Sequence, residues 1–267
     1  MIYSCREENE MEYLDTLIYL APLIFLAGFI DSAVGGGGTI SIPAYMLTGM
    51  PIHMAVGTNK LSACLGTAVA AGRFIKNKAI DIKTAIISAA GSLVGAALGA
   101  QIVLMLHEDT LRLMMIIALP CVAVFLVFRK NKAHEPSQEG LSPKRMAALA
   151  VIIGFGIGLY DGIIGPGTGT FAIIAYNVFM RFDLVTASGN AKILNLASNF
   201  ASVVTFIIAG NVYIALGLIA AVFGIAGNYF GAGFAIKKGA KVLRPLLFVV
   251  LALLLVTIIF DPIGRLA

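Results

Sequence analysis

Ten apolar blocks follow one another along this chain, at about 16–34, 39–50, 52–72, 84–106, 110–128, 146–164, 168–180, 184–209, 212–236 and 245–260. A helix needs roughly 20 apolar residues to cross a bilayer, and most of the blocks approach or exceed that length. The chain is 59% hydrophobic and 12% charged, whereas an ordinary soluble domain is about 25% charged. That composition excludes a soluble enzyme and reads as an all-α polytopic membrane protein. The blocks at 39–50 and 168–180 are too short for full spans and fit half-helices or re-entrant legs. Eight to ten transmembrane or half-membrane helices are therefore expected.

The remaining charges set the sidedness. Glu7, Glu8, Glu10, Glu12 and Asp15 crowd the first fifteen residues, the opposite of a basic signal-peptide start, so no cleaved signal is expected. Basic residues gather at Arg73 to Lys83, at Arg129 to Arg145, and at Lys237, Lys238, Lys241 and Arg244. By the positive-inside rule these loops are cytoplasmic, which puts both termini outside. The net charge of +5 belongs to these loops and does not indicate a nucleic-acid partner. Cys5, Cys64 and Cys121 have no ligand spacing, and neither do His53, His107 and His134. No metal site, disulfide or cofactor is expected.

Two stretches share one grammar: an aspartate, a glycine-rich break, a short apolar block, then a long block with a lysine inside it. They begin at Asp31-Ser-Ala-Val-Gly-Gly-Gly-Gly-Thr39 and at Asp161-Gly-Ile-Ile-Gly-Pro-Gly-Thr-Gly169. From Ala55 onward, a shift of 132 residues pairs Gly57 with Gly189, Lys60 with Lys192, Phe74 with Phe206, Gly95 with Gly227 and Gly99 with Gly231. The loop after the first long block is basic, while its partner near Gly210 is uncharged, so the two halves are expected to have opposite orientation. Inverted-topology repeats of this kind build many secondary transporters, whose substrate site lies where discontinuous helices meet. The expected organisation is an acidic tail at 1–15, a first transmembrane repeat at 16–128, a cytoplasmic linker at 129–145 and a second repeat at 146–267.

Gly35, Gly36, Gly37 and Gly38, and Gly165, Pro166 and Gly167, predict the two helix breaks. Non-helical backbone at membrane depth must be buried in protein or line a wet cavity. The amides that open the next half-helix, at Thr39 and at Thr168 to Thr170, favour an anion. Gly91, Gly95 and Gly99 are spaced by four and predict close helix packing instead.

Lys60 and Lys192 each lie eight residues into their blocks, roughly 12 Å deep. A buried intramembrane charge marks a functional site by default. The plainer reading is an ion pair, Lys60 with Asp31 and Lys192 with Asp161, or crossed between the halves. Such a pair could also serve as a proton or anion switch. Thr58, Asn59 and Asn190 flank the lysines, and Asn195 and Asn199 continue the face of Lys192 at i+3 and i+7. The expected substrate-binding set is Lys60, Lys192, Asn59, Thr58, Asn190, Thr39, Thr168 and Asn195, with Asp31 and Asp161 coupling protons to anion movement. Asn228 fits either a cavity wall or a tie between helices, and Ser41 and Ser62 are expected to bond back to their own helices.

Gly28-Phe-Ile-Asp-Ser-Ala-Val-Gly-Gly-Gly-Gly-Thr39, then Pro43, then Ala55-Val-Gly-Thr-Asn-Lys60, resembles the first half of the sulfite exporter TauE/SafE family of membrane transporters. The second half of that pattern stands at Gly158 to Gly169 with Ala187-Ser-Gly-Asn-Ala-Lys192, and the resemblance covers about residues 17–260. The second copy departs from the first: Pro166 interrupts its glycines, Ile173 to Ala175 replaces the proline region, and Asn190 replaces the threonine. The resemblance implies a bacterial inner-membrane protein that moves sulfur-containing anions such as sulfite or organosulfonates.

The residues and the resemblance together lead to a secondary transporter, and to an exporter, of small sulfur-containing or related anions. A passive anion channel with the same lining is the alternative. The expected partners are the anion, protons or another coupling ion, and the lipid bilayer, and the sequence leaves a homo-oligomer open. There is no Walker motif, so a gradient or a partner must supply the energy. No nucleophile stands beside a base and there are no paired carboxylates, so no enzyme and no catalytic residue is expected.

Overall fold

The computed structural model describes residues 2–128 and 142–238, and every regular element among them is a helix. In chain order these are α1 (Ile2–Val34), α2 (Gly38–Met46), α3 (Ile52–Lys76), α4 (Ile82–Met105), α5 (Glu108–Phe128), α6 (Pro143–Ile163), α7 (Thr168–Phe179), α8 (Leu184–Ile208) and α9 (Ile214–Lys238). Nine of the ten apolar blocks correspond to these helices. The tenth, at 245–260, lies outside the described residues, as do Lys241, Arg244 and positions 129–141 of the linker. The last residues assigned to that linker already belong to α6. Ser142 caps it by accepting a hydrogen bond from Arg145 N at 3.3 Å, with Pro143 in the first helical turn. Within α1 the apolar portion is Thr16–Val34.

Among the described residues, five helical segments are long and apolar enough to cross a membrane: Thr16–Val34, Ile82–Met105, Pro143–Ile163, Leu184–Ile208 and Ile214–Lys237. Large apolar side chains such as Ile86, Ile152 and Val222 point outward, while Lys60, Lys192 and Asn190 are buried. That distribution reverses the pattern of a water-soluble protein. It suits a multi-pass protein whose exterior meets lipid.

The short helices α2 and α7 have nine and twelve residues, about 14 and 18 Å of helix, so neither crosses a bilayer. Each turns back at its glycine break. Gly37 packs against Ala27 and Asp31 of α1, and Ile40 joins Ala27 and Ile30 in one apolar cluster. In the second half the Tyr160 hydroxyl donates to the Pro166 carbonyl at 2.6 Å, and Phe171 meets the Tyr160 ring edge-on at 5.3 Å. The short blocks at 39–50 and 168–180, expected as half-helices or re-entrant legs, are these two helices.

Packing between the halves follows the small residues. Gly91, Gly95 and Gly99 of α4 lie against the α6 backbone around Val151, Phe155 and Leu159, while Gly227 and Gly231 of α9 lie against Phe25 and Phe29 of α1. In both pairs the chain numbers rise together, so the helices run parallel. By contrast α3 and α8 are antiparallel: Gly57 near the start of α3 abuts Phe206 and Asn211, and Gly189 near the start of α8 abuts Ala79 and Ile80. The contact partners keep nearly the same offsets as the glycines, with Ala79 and Asn211 also 132 apart and Phe25 and Phe155 130 apart.

Candidate functional site

The two helix breaks meet. Gly35 has a left-handed φ of +87°, and the space where its Cβ would stand is filled by the Gly169–Thr170 backbone. Only glycine fits both constraints. Thr170 N donates to Gly35 O at 3.1 Å, and the Thr170 hydroxyl donates to Val34 O at 2.6 Å. Main chain from one half thereby stitches the break of the other.

Beside this junction the lysines and aspartates pair across the halves. Lys60 Nζ lies 2.9 Å from Asp161 Oδ2 and donates to the Asp161 carbonyl at 2.7 Å. Lys192 Nζ donates to Asp31 Oδ2 at 2.7 Å and to the Asp31 carbonyl at 2.5 Å. Of the two pairings open at the sequence level, the crossed one is present. Each ammonium therefore binds both a carboxylate and a main-chain carbonyl just before the break. The Lys60–Asp161 side chains are 3% and 7% exposed, whereas those of Lys192 and Asp31 are 0% and 20% exposed. Asp161 Oδ1 additionally accepts from the Thr168 hydroxyl at 2.8 Å.

A cavity of about 60 Å³ opens at the junction, room for a few waters or one small ion. Of the expected site residues, Lys60, Asn59, Asn195, Thr168, Asp31 and Asp161 line it, as do Gly35, Gly37, Gly38 and Gly165, which contribute main chain. The amide oxygens of Asn59 and Asn195 are buried with no hydrogen-bond partner among the described residues. Gly36, Pro166 and Gly167 form the turns behind the wall. Lys192 stands behind Asp31, and the Thr39 hydroxyl is turned onto Gly36 O at 2.5 Å.

Thr58 and Asn190 lie elsewhere, for one shared reason. The Thr58 hydroxyl accepts from Tyr213 N at 2.9 Å, and Asn190 Oδ1 accepts from Asp81 N at 2.9 Å. Each side chain thus holds the turn that opens α9 or α4, and their partners Tyr213 and Asp81 are again 132 residues apart. Thr58→Val should cost about 1–3 kcal/mol by stranding the Tyr213 amide. A fall of a few degrees in the thermal midpoint of the purified protein would register it, and an unchanged midpoint would count against the clamp.

Thr67 also lines the cavity and was not marked by the sequence pattern. It stands seven residues after Lys60, as Asn199 stands seven after Lys192, so helical spacing was the available signal. Asn228 does both things its position allowed: it faces the cavity and takes a 2.5 Å hydrogen bond from Ser32. Ser41 and Ser62 bond back to Gly37 O and Asn59 O as expected, at 3.2 and 3.0 Å, and still border the cavity.

Residues 20–258, which include both breaks and both lysines, match the family described as sulfite exporter TauE/SafE. The chain belongs to the TauE/SafE family. Its relatives include the probable membrane transporter protein YfcA of Escherichia coli, 34% identical over 96% of this chain and 97% of that protein. The probable membrane transporter protein ORF9 of Sinorhizobium is 32% identical, with 92% and 93% covered. A probable membrane transporter protein of Haemophilus influenzae is 29% identical, with 93% and 96% covered. No solved structure matches the chain. This TauE/SafE protein is accordingly a membrane transporter.

Proposed function

We propose that this TauE/SafE protein is a secondary transporter, working as an exporter, for small sulfur-containing or related anions such as sulfite and sulfonates. Its place is the bacterial inner membrane, with both termini outside and the halves 16–128 and 146–267 forming an inverted-topology repeat. The recurrence of contacts at matched offsets, and the antiparallel packing of α3 on α8, support that repeat.

One observation carries the reading of the site: the Lys60 ammonium reaches the wall of a cavity that is also lined by the main chain opening two half-helices. A fixed cation favours an anion, whereas the Thr39, Thr168 and Thr170 amides expected to assist it already donate to the Gly36, Gly165 and Gly35 carbonyls. Lys60, Asn59, Asn195 and Thr168 contact it directly in this reading. Lys192 supports it through Asp31, while Thr39, Thr58 and Asn190 shape the helix starts and turns around it. Asp31 and Asp161 are the two candidates for coupling protons to its movement, since an anion that takes a lysine releases the carboxylate paired with it.

Purified protein in liposomes tests the reading. Sulfite or methanesulfonate flux should saturate with concentration and respond to a pH gradient. Flux that does neither favours a passive channel with the same lining. Absence of flux for every small sulfur-containing anion tried would remove the substrate class.

A further inference from the structure

The two ion pairs, although matched in sequence, differ in their hydrogen bonds: Lys192 donates to Asp31 Oδ2, whereas Asp161 Oδ2 only stands 2.9 Å from Lys60 Nζ and it is Asp161 Oδ1 that meets a hydroxyl. Thr168 Oγ1 lies 2.8 Å from Asp161 Oδ1 and 2.5 Å from the Gly165 carbonyl. A hydroxyl has one proton to give and can also accept. When Asp161 is ionised, Thr168 donates to the carboxylate. When Asp161 is protonated, its new O–H donates to Thr168, and Thr168 turns its own proton to Gly165 O. Both protonation states are therefore satisfied without moving the backbone. The residue matching Thr168 at the Asp161-to-Asp31 offset of 130 is Gly38, so Asp31 has no hydroxyl at that position.

The cavity's charges give the second half of the argument. Asp31, Lys60 and Asp161 are its charged lining among the described residues, and Lys192 is bound to Asp31. These four charges sum to zero. An anion entering this low-dielectric space leaves one uncompensated negative charge, which is strongly disfavoured. One proton on Asp161 restores neutrality and frees the Lys60 ammonium for the anion. The groups facing Asp161 are Lys60 from α3 and Thr168 from α7, with Tyr160 beside it on α6 and Asp31 across the cavity on α1.

We propose that Asp161 alone carries the coupling proton, one per monovalent anion, making transport electroneutral, while the Asp31–Lys192 pair stays closed. Net export then follows the anion's own outward gradient and is set against the pH gradient, independent of membrane potential. This inference rests on the transporter reading above. Its failure looks different from the failure of that reading.

Methanesulfonate suits the test because it stays a monoanion near neutral pH and cannot bring its own proton. Wild-type liposomes should accumulate it about tenfold per unit of inward acid gradient, with one proton entering per anion. Clamping the membrane potential should leave that accumulation unchanged, whereas an anion crossing alone would redistribute about fifty-fold per 100 mV. Accumulation that follows the potential and ignores pH overturns the inference and leaves the transporter standing. Absence of any methanesulfonate or sulfite flux overturns both. Asp161→Asn should lose pH-driven accumulation but keep exchange of internal for external anion. Thr168→Val should weaken the pH response and Thr168→Ser should restore it. A full pH response in Asp161→Asn would contradict the assignment, and the wild-type measurement decides the stoichiometry even if that variant does not fold.

Discussion

Lys60→Ala is expected to destabilise the protein by about 3–5 kcal/mol, because it strands the Asp161 carboxylate in a place where water hardly reaches. The loss should be largely reversed in the double variant Lys60→Ala with Asp161→Ala, which leaves no unpaired charge. Removing both members of a buried ion pair is often close to neutral, whereas removing one is not. Lys192→Ala should cost less, since the Asp31 side chain is 20% exposed and Asp161 only 7%. Thermal midpoints and the folded fraction after size exclusion, compared among wild type, Lys60→Ala, Asp161→Ala and the double variant, would give the coupling energy. Equal losses in Lys60→Ala and in the double variant would mean that the pair is not a unit. Transport should be lost in both, since the cation is gone from the cavity either way.

Gly189→Ala and Gly57→Ala are expected to be among the most damaging methyl additions in the described chain. A Cβ at Gly189 would overlap the Ala79 carbonyl oxygen and press on the Ile80 side chain. One at Gly57 would overlap the Asn211 carbonyl oxygen and stand 3.0 Å from Phe206 Cβ. Both obstacles are backbone in the turn that begins the next helix, so relief requires α3 and α8 to separate. Overpacking of this kind costs about 1–3 kcal/mol or more, and here it would also break the neighbouring Thr58 or Asn190 clamp. Gly72→Ala and Gly156→Ala make the control, because nothing lies within 4 Å of a Cβ at either position. Alanine there should be neutral or should stabilise its helix by about 0.5–1 kcal/mol. Four thermal midpoints in one detergent test the contrast, and similar values for all four would show that the close approach carries no weight.

Hydrophobicity and glycine content made the helices and the two breaks legible, because spanning length and helix-breaking are local properties. The shortness of α2 and α7 was legible from the length of their apolar blocks. The partner of each lysine was not. A shift of 132 residues pairs Lys60 with Lys192, but it does not say which half each side chain reaches into. The crossed pairing depends on α3 lying against α8 and on the breaks meeting at Gly35 and Gly169, which are contacts between distant segments. The same limit applied to the asparagines. Asn190 and Asn195 are five residues apart and chemically alike. Asn190 meets the Asp81 amide of a turn packed against it, while Asn195 faces the cavity. The resemblance to the TauE/SafE family gave the motif but not this division of labour. Gly57-Thr58 and Gly189-Asn190 meet the turns, and two residues later Lys60 reaches the cavity while Lys192 reaches Asp31.

In the proposed mechanism a buried cation at the helix breaks receives a small anion and passes it across the membrane. Concentration-dependent flux of sulfite and methanesulfonate into liposomes tests it most directly, comparing wild-type protein with the variant carrying Lys60→Ala and Lys192→Ala, each reconstituted at equal, verified folded amounts. Wild-type flux should saturate, and the variant should fall at least about a hundredfold, the loss expected when some 3 kcal/mol of charge stabilisation disappears. Unchanged flux in the doubly substituted protein would contradict the account.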